Sequence, residues 1–465
     1  MECKEISHAS IGPFDASIHR CYQSASDHTD VHTVCFNAAL TSDLRPCHGT
    51  TDAGMMTSFA EISKRLILPR EPEVSHLVLV AVPEGMYIPC RPSGEVVILN
   101  GSLRLKSTLD SMFHNGRAWI EGKRIVASEP AMQVILQELH ERGLVCVCAN
   151  DHHRMGAKPQ CIVFSPALFF PSRLARPGTV VFNAHFFLMF LSDVATRFDR
   201  MGQPFGLLVL DGKVMQPPLC RRPALVYGNL SGVRDLAITD MGIVIDGTEY
   251  RHGHSCEVYV RPVHEHTPSS NDGIDVVVVG CKIVAYTRNG GVEVPASGFV
   301  IHLRGLAQVQ AVDVEYRMPF ECRFAIQCGP AVVRAGKPCR REDYPLYTGE
   351  GIPFPPTVYP QDWEQGRAAR MAIALAGQRM MLIHVGGSKA EAYRAGTDSL
   401  GFSLSEMAEF ARSIGCSDCV NLDGGGSAAL WLDGENHIGC SDRDRTTFAP
   451  LERPVPSGLQ FDFRE

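Results

Sequence analysis

The run Val420-Asn421-Leu422-Asp423-Gly424-Gly425-Gly426-Ser427 sets an amide and a carboxylate directly before three consecutive glycines. Glycine has no Cβ, so its backbone can turn sharply and approach a ligand closely. Successive N–H groups in such a turn can form a concave site for an anion, typically a phosphate. Asp423 stands at the mouth of that turn, and Asn421 shares its strand face because side chains alternate with period two. The pattern points to chemistry on a phosphorylated substrate. The competing reading is a tight hairpin turn that needs glycine only for its angles. The residue types alone leave both open.

Other chemistry-bearing groups are less complete. Asp151-His152-His153-Arg154 follows an apolar run and could serve metal binding or acid–base work, although adjacent side chains point apart. Cys416-Ser417-Asp418-Cys419 is a C-x-x-C, and no second pair or zinc-finger His spacing completes it. No metal site and no cofactor are therefore expected. No Lys follows the glycines, so a P-loop nucleoside triphosphatase is disfavoured. His8, His19, His28, His32 and His48 occur at irregular spacing and read as surface or hydrogen-bonding residues.

The chain has 465 residues, 45% hydrophobic and 20% charged, which suits a folded protein of about two to three domains. A net charge of −7 argues against nucleic acid bound through a broad basic surface. No apolar run reaches the ~18 residues of a membrane helix, so no membrane partner is expected. Met1-Glu2-Cys3-Lys4-Glu5 is polar, which gives the expectation of a cytoplasmic protein. On that basis the 17 cysteines read as buried thiols. The oligomeric state is left open.

The elements that must position these groups fall into two textures. Residues 1–75 are weakly patterned, and 1–175 reads as an N-terminal α/β region of unknown role. Within it, His76–Val82 and Leu144–Ala149 are strand-like, and Met132, Ile135, Leu136 and Leu139 mark a helix over 130–142. Residues 176–465 form the second region, with short β segments broken by Gly and Pro. Asp211-Gly212, Asp246-Gly247 and Asp433-Gly434 are hairpin-turn signals. Strands are predicted at 179–182, 242–245, 275–280, 282–286, 298–303, 309–316 and 324–326. Ser403 and Glu406 form a capping box opening a helix over 404–414, which Gly415 ends. A strand over 419–423 then delivers Asp423, and 428–432 returns. The fold class is α+β, with mostly antiparallel mixed sheets and flanking helices.

In this order the motifs resemble the phosphodiester glycosidase family. Asn421 to Ser427 matches its signature. Cys328-Gly329-Pro330-Ala331-Val332-Val333-Arg334-Ala335-Gly336-Lys337 resembles its Gly-Gly-Pro segment. Arg370 falls at the Arg of its Arg-Thr pair. Asn183-Ala184-His185-Phe186-Phe187 resembles its Asn-Gly-Gly-Phe-Phe, and Glu452 to Ser457 its closing segment. The resemblance spans about 180–465. It departs at Ala184-His185, Cys328, Met371 and Val385-Gly386-Gly387, where the family keeps glycines, a Thr and an Asp-Gly-Arg.

The resemblance implies a hydrolase that cleaves a glycosyl-phosphate (sugar-1-phosphodiester) bond in a small cytosolic substrate. A phosphate leaves well, so the two-carboxylate requirement of ordinary glycosidases relaxes. The implied catalytic residues are Asp423, His185 and Arg370. Asn183, Asn421, Gly424, Gly425, Gly426, Ser427 and Gly329 are the implied substrate-binding set. The alternatives are a lyase or transferase using His185 as base, and a non-catalytic sugar-phosphate binding protein.

Overall fold

The computed structural model describes residues 1–47, 169–188, 203–340, 366–388, 393–443 and 447–463, except 262, 289, 312, 448 and 454. It also describes residues 130, 196, 198 and 199 singly, and the backbone of short strands between 78 and 165.

The strand that delivers Asp423, Asp418–Asn421, lies inside an eight-stranded sheet. Its order is Glu2–Ile11, Phe14–Tyr22, His28–Asn37, Arg379–Val385, Arg370–Ala376, Asp418–Asn421, Ala331–Arg334 and Lys337–Pro338. Every pairing is antiparallel. The division at residue 175 therefore does not set the first residues apart. His28–Asn37 pairs with Arg379–Val385, so the chain start completes the sheet that carries the glycine loop.

Residues 1–47 read as weakly patterned because their strands lack a one-sided apolar face. Glu2–Ile11 is an edge strand exposed along almost its whole length, whereas His28–Asn37 is buried on both faces. Neither environment imposes the alternation of a half-buried strand. Two expectations are corrected here. His28 and His32 are buried rather than superficial. Cys3 and Cys21, directly opposite across the first two strands, form a disulfide rather than free thiols.

The sheet has two covered faces. On one, Cys35, Val332, Ala372, Ala374, Ile383 and Cys419 pack under the helix Leu404–Ser413. Ser403 accepts the Glu406 N–H, and Glu406 reaches back to the Ser403 N–H, as the capping box predicts. Gly415 follows with φ +88°, closing the helix as expected. Cys416 and Cys419 are both buried in this cluster and act as packing. On the other face, Val34, Phe36, Met371, Ile373, Leu382, Val420 and Leu422 belong to the main core, so Met371 is a packing residue.

Smaller antiparallel sheets complete that core. Thr179–Asn183 lies between Leu430–Leu432 and Gly458–Asp462, with Arg45–Cys47 at the edge. Leu208–Leu210 pairs with Lys213–Gln216 and Cys322–Gln327. Gly298–Arg304 pairs with Glu257–Val260 and Gly273–Val279. All three Asp-Gly turns carry positive φ at both residues, the conformation that matches the twist of a two-residue hairpin. The 309–316 prediction shrinks to Glu315–Arg317.

The mostly antiparallel prediction holds, while flanking helix is sparse. Among the described residues, apart from residue 130, α-helix amounts to one turn at Pro171–Leu174 and ten residues at Leu404–Ser413, with short 3-10 helices at Ala38–Asp43, Ile238–Asp240 and Gly425–Ser427. Between 78 and 165 the backbone includes the predicted strands as Val78–Val80 and Val145–Cys148, with parallel pairing of Val78–Val80 to Val96–Ile98. His48, the 130–142 helix and the Asp151–Arg154 motif lie outside the described residues, apart from residue 130.

His32 and His384 sit directly opposite one another across paired strands, and the His437 ring stands edge-on to His32 at 4.8 Å. Burial, with the neighbouring His437, His384 and His19 rings, lowers His32 to about 3. Burial alone lowers His384 to about 4. Both values lie below those of the unfolded chain, so the unfolded state binds more protons in the window between. The neutral rings thus contribute stability that is complete above about pH 6.5 and is lost as pH falls toward 4. The loss should reach at most about 1.4 kcal/mol per pH unit for each ring. Urea midpoints measured from pH 7 to 4 should fall, and His384→Asn should flatten the slope. An unchanged slope in that variant would contradict the assignment.

Candidate functional site

The glycine loop is built into three elements rather than standing free. Asp423 N–H donates to the Ala184 carbonyl at 3.0 Å, and Gly425 N–H to the Ala369 carbonyl at 2.8 Å. Ser427 and Ala428 N–H groups close a short 3-10 turn onto Gly424 and Gly425. Gly425 has φ +57°, a conformation that favours glycine. Of the three glycine N–H groups expected to face an anion, Gly425 N–H is committed to Ala369 instead.

Asp423 is the exception in this well-bonded loop. It stays partly open to solvent, yet its carboxyl is surrounded by protein. Desolvation pushes its pKa up to about 7. The Ser427 hydroxyl, the Arg453 charge and the Gly424 N–H pull the other way. Asp423 therefore exchanges a proton near neutrality, which suits a general acid or base.

Most of the other predicted site residues hold the loop in place. Asn183 is buried, and its side chain is fully engaged. Nδ2 donates to the Asp423 carbonyl at 2.6 Å, and Oδ1 accepts the Ala429 N–H at 2.9 Å. It therefore ties the two ends of the glycine turn together, as a clamp rather than a substrate contact. Asn421 is buried and donates Nδ2 to the Leu422 carbonyl at 2.8 Å, while its Oδ1 has no hydrogen-bond partner. Gly329 N–H donates to the Asn421 carbonyl at 2.8 Å, and a Cβ at Gly329 would lie 2.8 Å from Asn421 Nδ2. Close packing of two backbones, not ligand contact, requires that glycine. Ser427 is buried beside Asp423, and its hydroxyl has no hydrogen-bond partner among the described residues.

Arg370 lies beside Gly424 but turns its guanidinium to the fold. Nε donates to the Phe402 carbonyl at 3.0 Å and Nη2 to the Gly366 carbonyl at 2.7 Å. It anchors the strand under the loop, which corrects its assignment as a phosphate ligand.

His185 is corrected as well. Its ring is buried between Ser457 Oγ (2.8 Å from Nδ1) and the Leu207 carbonyl (3.1 Å from Nε2). A carbonyl only accepts, so Nε2 carries the proton and Nδ1 accepts from Ser457. Burial lowers the pKa to about 4 despite the Leu207 bond. His185 is a neutral structural residue with both nitrogens engaged. His185→Asn should cost about 1–3 kcal/mol of stability through an unpaired buried partner. It should leave the pH dependence of any activity unmoved. A lost limb near neutrality in its pH–rate profile would restore a catalytic role.

The sequence reading missed the charged pair that seats the loop. Asp442 is fully buried and grips Arg453 through Nε–Oδ2 at 2.8 Å and Nη2–Oδ1 at 3.1 Å. A Cβ on Gly426 would lie 2.2 Å from Asp442 Oδ2 and 2.4 Å from Arg453 Nη2, so any side chain here would have to displace the pair. Arg443 donates Nη2 to Ser388 Oγ at 2.8 Å and lies 3.6 Å from Asp398. Gly387, in the segment that departs from Asp-Gly-Arg, packs on Ala369, where a Cβ would meet backbone at 2.4 Å. Only the closing segment Glu452 to Ser457 hinted at this pair in the sequence. Among the described residues, no three His, Cys, Asp or Glu side chains group to hold a metal ion.

A sheet-rich domain with a proton-exchanging carboxylate on a glycine turn is the class this geometry defines. Residues 272–461 match the phosphodiester glycosidase family model, so the resemblance is borne out over that stretch rather than from residue 180. No curated protein matches.

Three solved structures are similar at low identity. A hypothetical protein from Synechocystis is 15% identical with a TM-score of 0.37. The match covers 96% of this chain and 61% of that one, so the chain spans about three-fifths of that relative's length. A Burkholderia pseudomallei K96243 protein described as "Putative exported protein" is 13% identical, with a TM-score of 0.36 and 99% of each chain covered. The zebrafish N-acetylglucosamine-1-phosphodiester alpha-N-acetylglucosaminidase catalytic domain, auto-inhibited by its pro-peptide, is 16% identical with a TM-score of 0.25. That match covers 54% of this chain and 91% of the zebrafish one. These scores carry no argument about chemistry.

The cytoplasmic expectation is withdrawn. It rested on a polar chain start. The exported description of the Burkholderia relative runs against it, and Cys3–Cys21 is a bond of the kind that persists in oxidising compartments.

Proposed function

We propose that the protein is a glycoside hydrolase acting on a sugar-1-phosphodiester, with Asp423 as its working carboxyl. The observation that carries the reading is the enclosure of the Asp423 carboxyl on the glycine turn inside the family-matched segment, which pushes its pKa up to about 7. In its ionised form Asp423 takes a proton from water. The water oxygen bonds the anomeric carbon, the carbon–oxygen bond to phosphate breaks, and the phosphomonoester departs with the electron pair. The leaving group needs little protonation, so one carboxyl can suffice.

A lyase or transferase built on His185 is disfavoured, because that ring is buried with both nitrogens engaged. A binding protein without turnover remains the alternative, favoured by the fold's use of Arg370 and Asn183. Incubation with a panel of sugar-1-phosphodiesters tests the choice. Free sugar with a phosphomonoester supports hydrolysis. Binding without product supports the alternative, and an unsaturated sugar sinks both.

A further inference from the structure

We propose that Arg453, gripped by Asp442 against the bare face of Gly426, is a positioning residue that favours the ionised form of Asp423. The inference rests on reading Asp423 as the working carboxyl, but its test does not require turnover.

Gly426 is buried, and an added Cβ would overlap both Asp442 and Arg453. The bidentate pair is therefore pressed against the loop that bears Asp423, where a Cβ would displace it. Asp442 is fully buried and Arg453 nearly so, which shields their field from solvent screening. Arg453 favours the ionised form of Asp423, against desolvation. The two-pronged geometry fixes the guanidinium plane, which a lysine could not reproduce. Asp442 offsets part of the Arg453 charge. The pair thus presents less than a full positive charge to the loop that bears Asp423.

The sign of each perturbation follows. Arg453→Gln removes the cation, so the Asp423 midpoint should rise by about one unit. Asp442→Asn leaves the cation less compensated, so the midpoint should fall. Gly426→Ala pushes the pair outward and should act in the same direction as Arg453→Gln.

Carbon-13 NMR of aspartate-labelled full-length protein reads this directly, with the Asp423 signal assigned by its loss in Asp423→Asn. Opposite shifts in Arg453→Gln and Asp442→Asn support the proposal. An Asp423 midpoint unchanged in folded Arg453→Gln overturns it. Should that variant not fold, Asp442→Asn decides, because a midpoint that does not fall there overturns the proposal equally. The proposed function fails separately: opposite midpoint shifts in a protein that hydrolyses no sugar phosphodiester would leave the electrostatic role standing and remove the reaction.

Discussion

Asp423→Asn should lose at least about 10²–10³-fold in turnover of a sugar-1-phosphodiester while keeping the fold. The carboxyl supplies the proton-accepting group of the proposed reaction, and an amide of the same shape cannot accept that proton. The fold should survive because the backbone bonds of Asp423, to Ala184 and from Asn183, do not involve its side chain. The variant should even be more stable at high pH. Asp423 has a folded value raised to about 7. Its protonation therefore contributes stability below the unfolded carboxylate range, and that stability is lost as pH rises through about 7. Wild type should lose stability relative to Asp423→Asn between about pH 4 and 8. If Asp423 is the base, kcat/KM of the wild type should climb through the same midpoint. Retained activity in the variant would remove Asp423 from the mechanism, and a wild-type profile flat across neutrality would remove its role as base.

Asp442→Ala should be among the most destabilising substitutions in this region, costing about 3–5 kcal/mol. It strips a buried guanidinium of both carboxylate contacts and leaves the cation in a poorly solvated position. The loop loses its seat at Gly426 at the same time, so activity should fall with stability. Denaturant midpoints at one pH measure the first effect. Asp442→Ala combined with Arg453→Met should recover part of the loss, because no unpaired charge is then left behind. A double variant no more stable than Asp442→Ala would show that the penalty comes from the cavity rather than the stranded charge.

The local devices of this fold were legible in the sequence because each is decided by a few adjacent residues. The capping box at Ser403 and Glu406, the three Asp-Gly turns and the strand leading to Asp423 all formed as expected. Asp423 also stood out as the residue to test, since it directly precedes the three glycines. The first three strands were not legible. One is exposed on both faces and one is buried on both, so neither carries a period-two signal.

Sequence by itself determined that a carboxylate sits on a glycine turn in a β-rich domain. It could not determine what the surrounding polar residues do. Asn183, Arg370 and His185 each carry side-chain chemistry suited to a substrate, and each is spent on the protein's own carbonyls, N–H groups or hydroxyls. Asp442 and Arg453, eleven residues apart, met only through folding, and they lie where a Cβ on Gly426 would stand. The reason is physical. A polar side chain serves a ligand only if the fold leaves its donors and acceptors unpaired, and that is settled by partners far away in the chain.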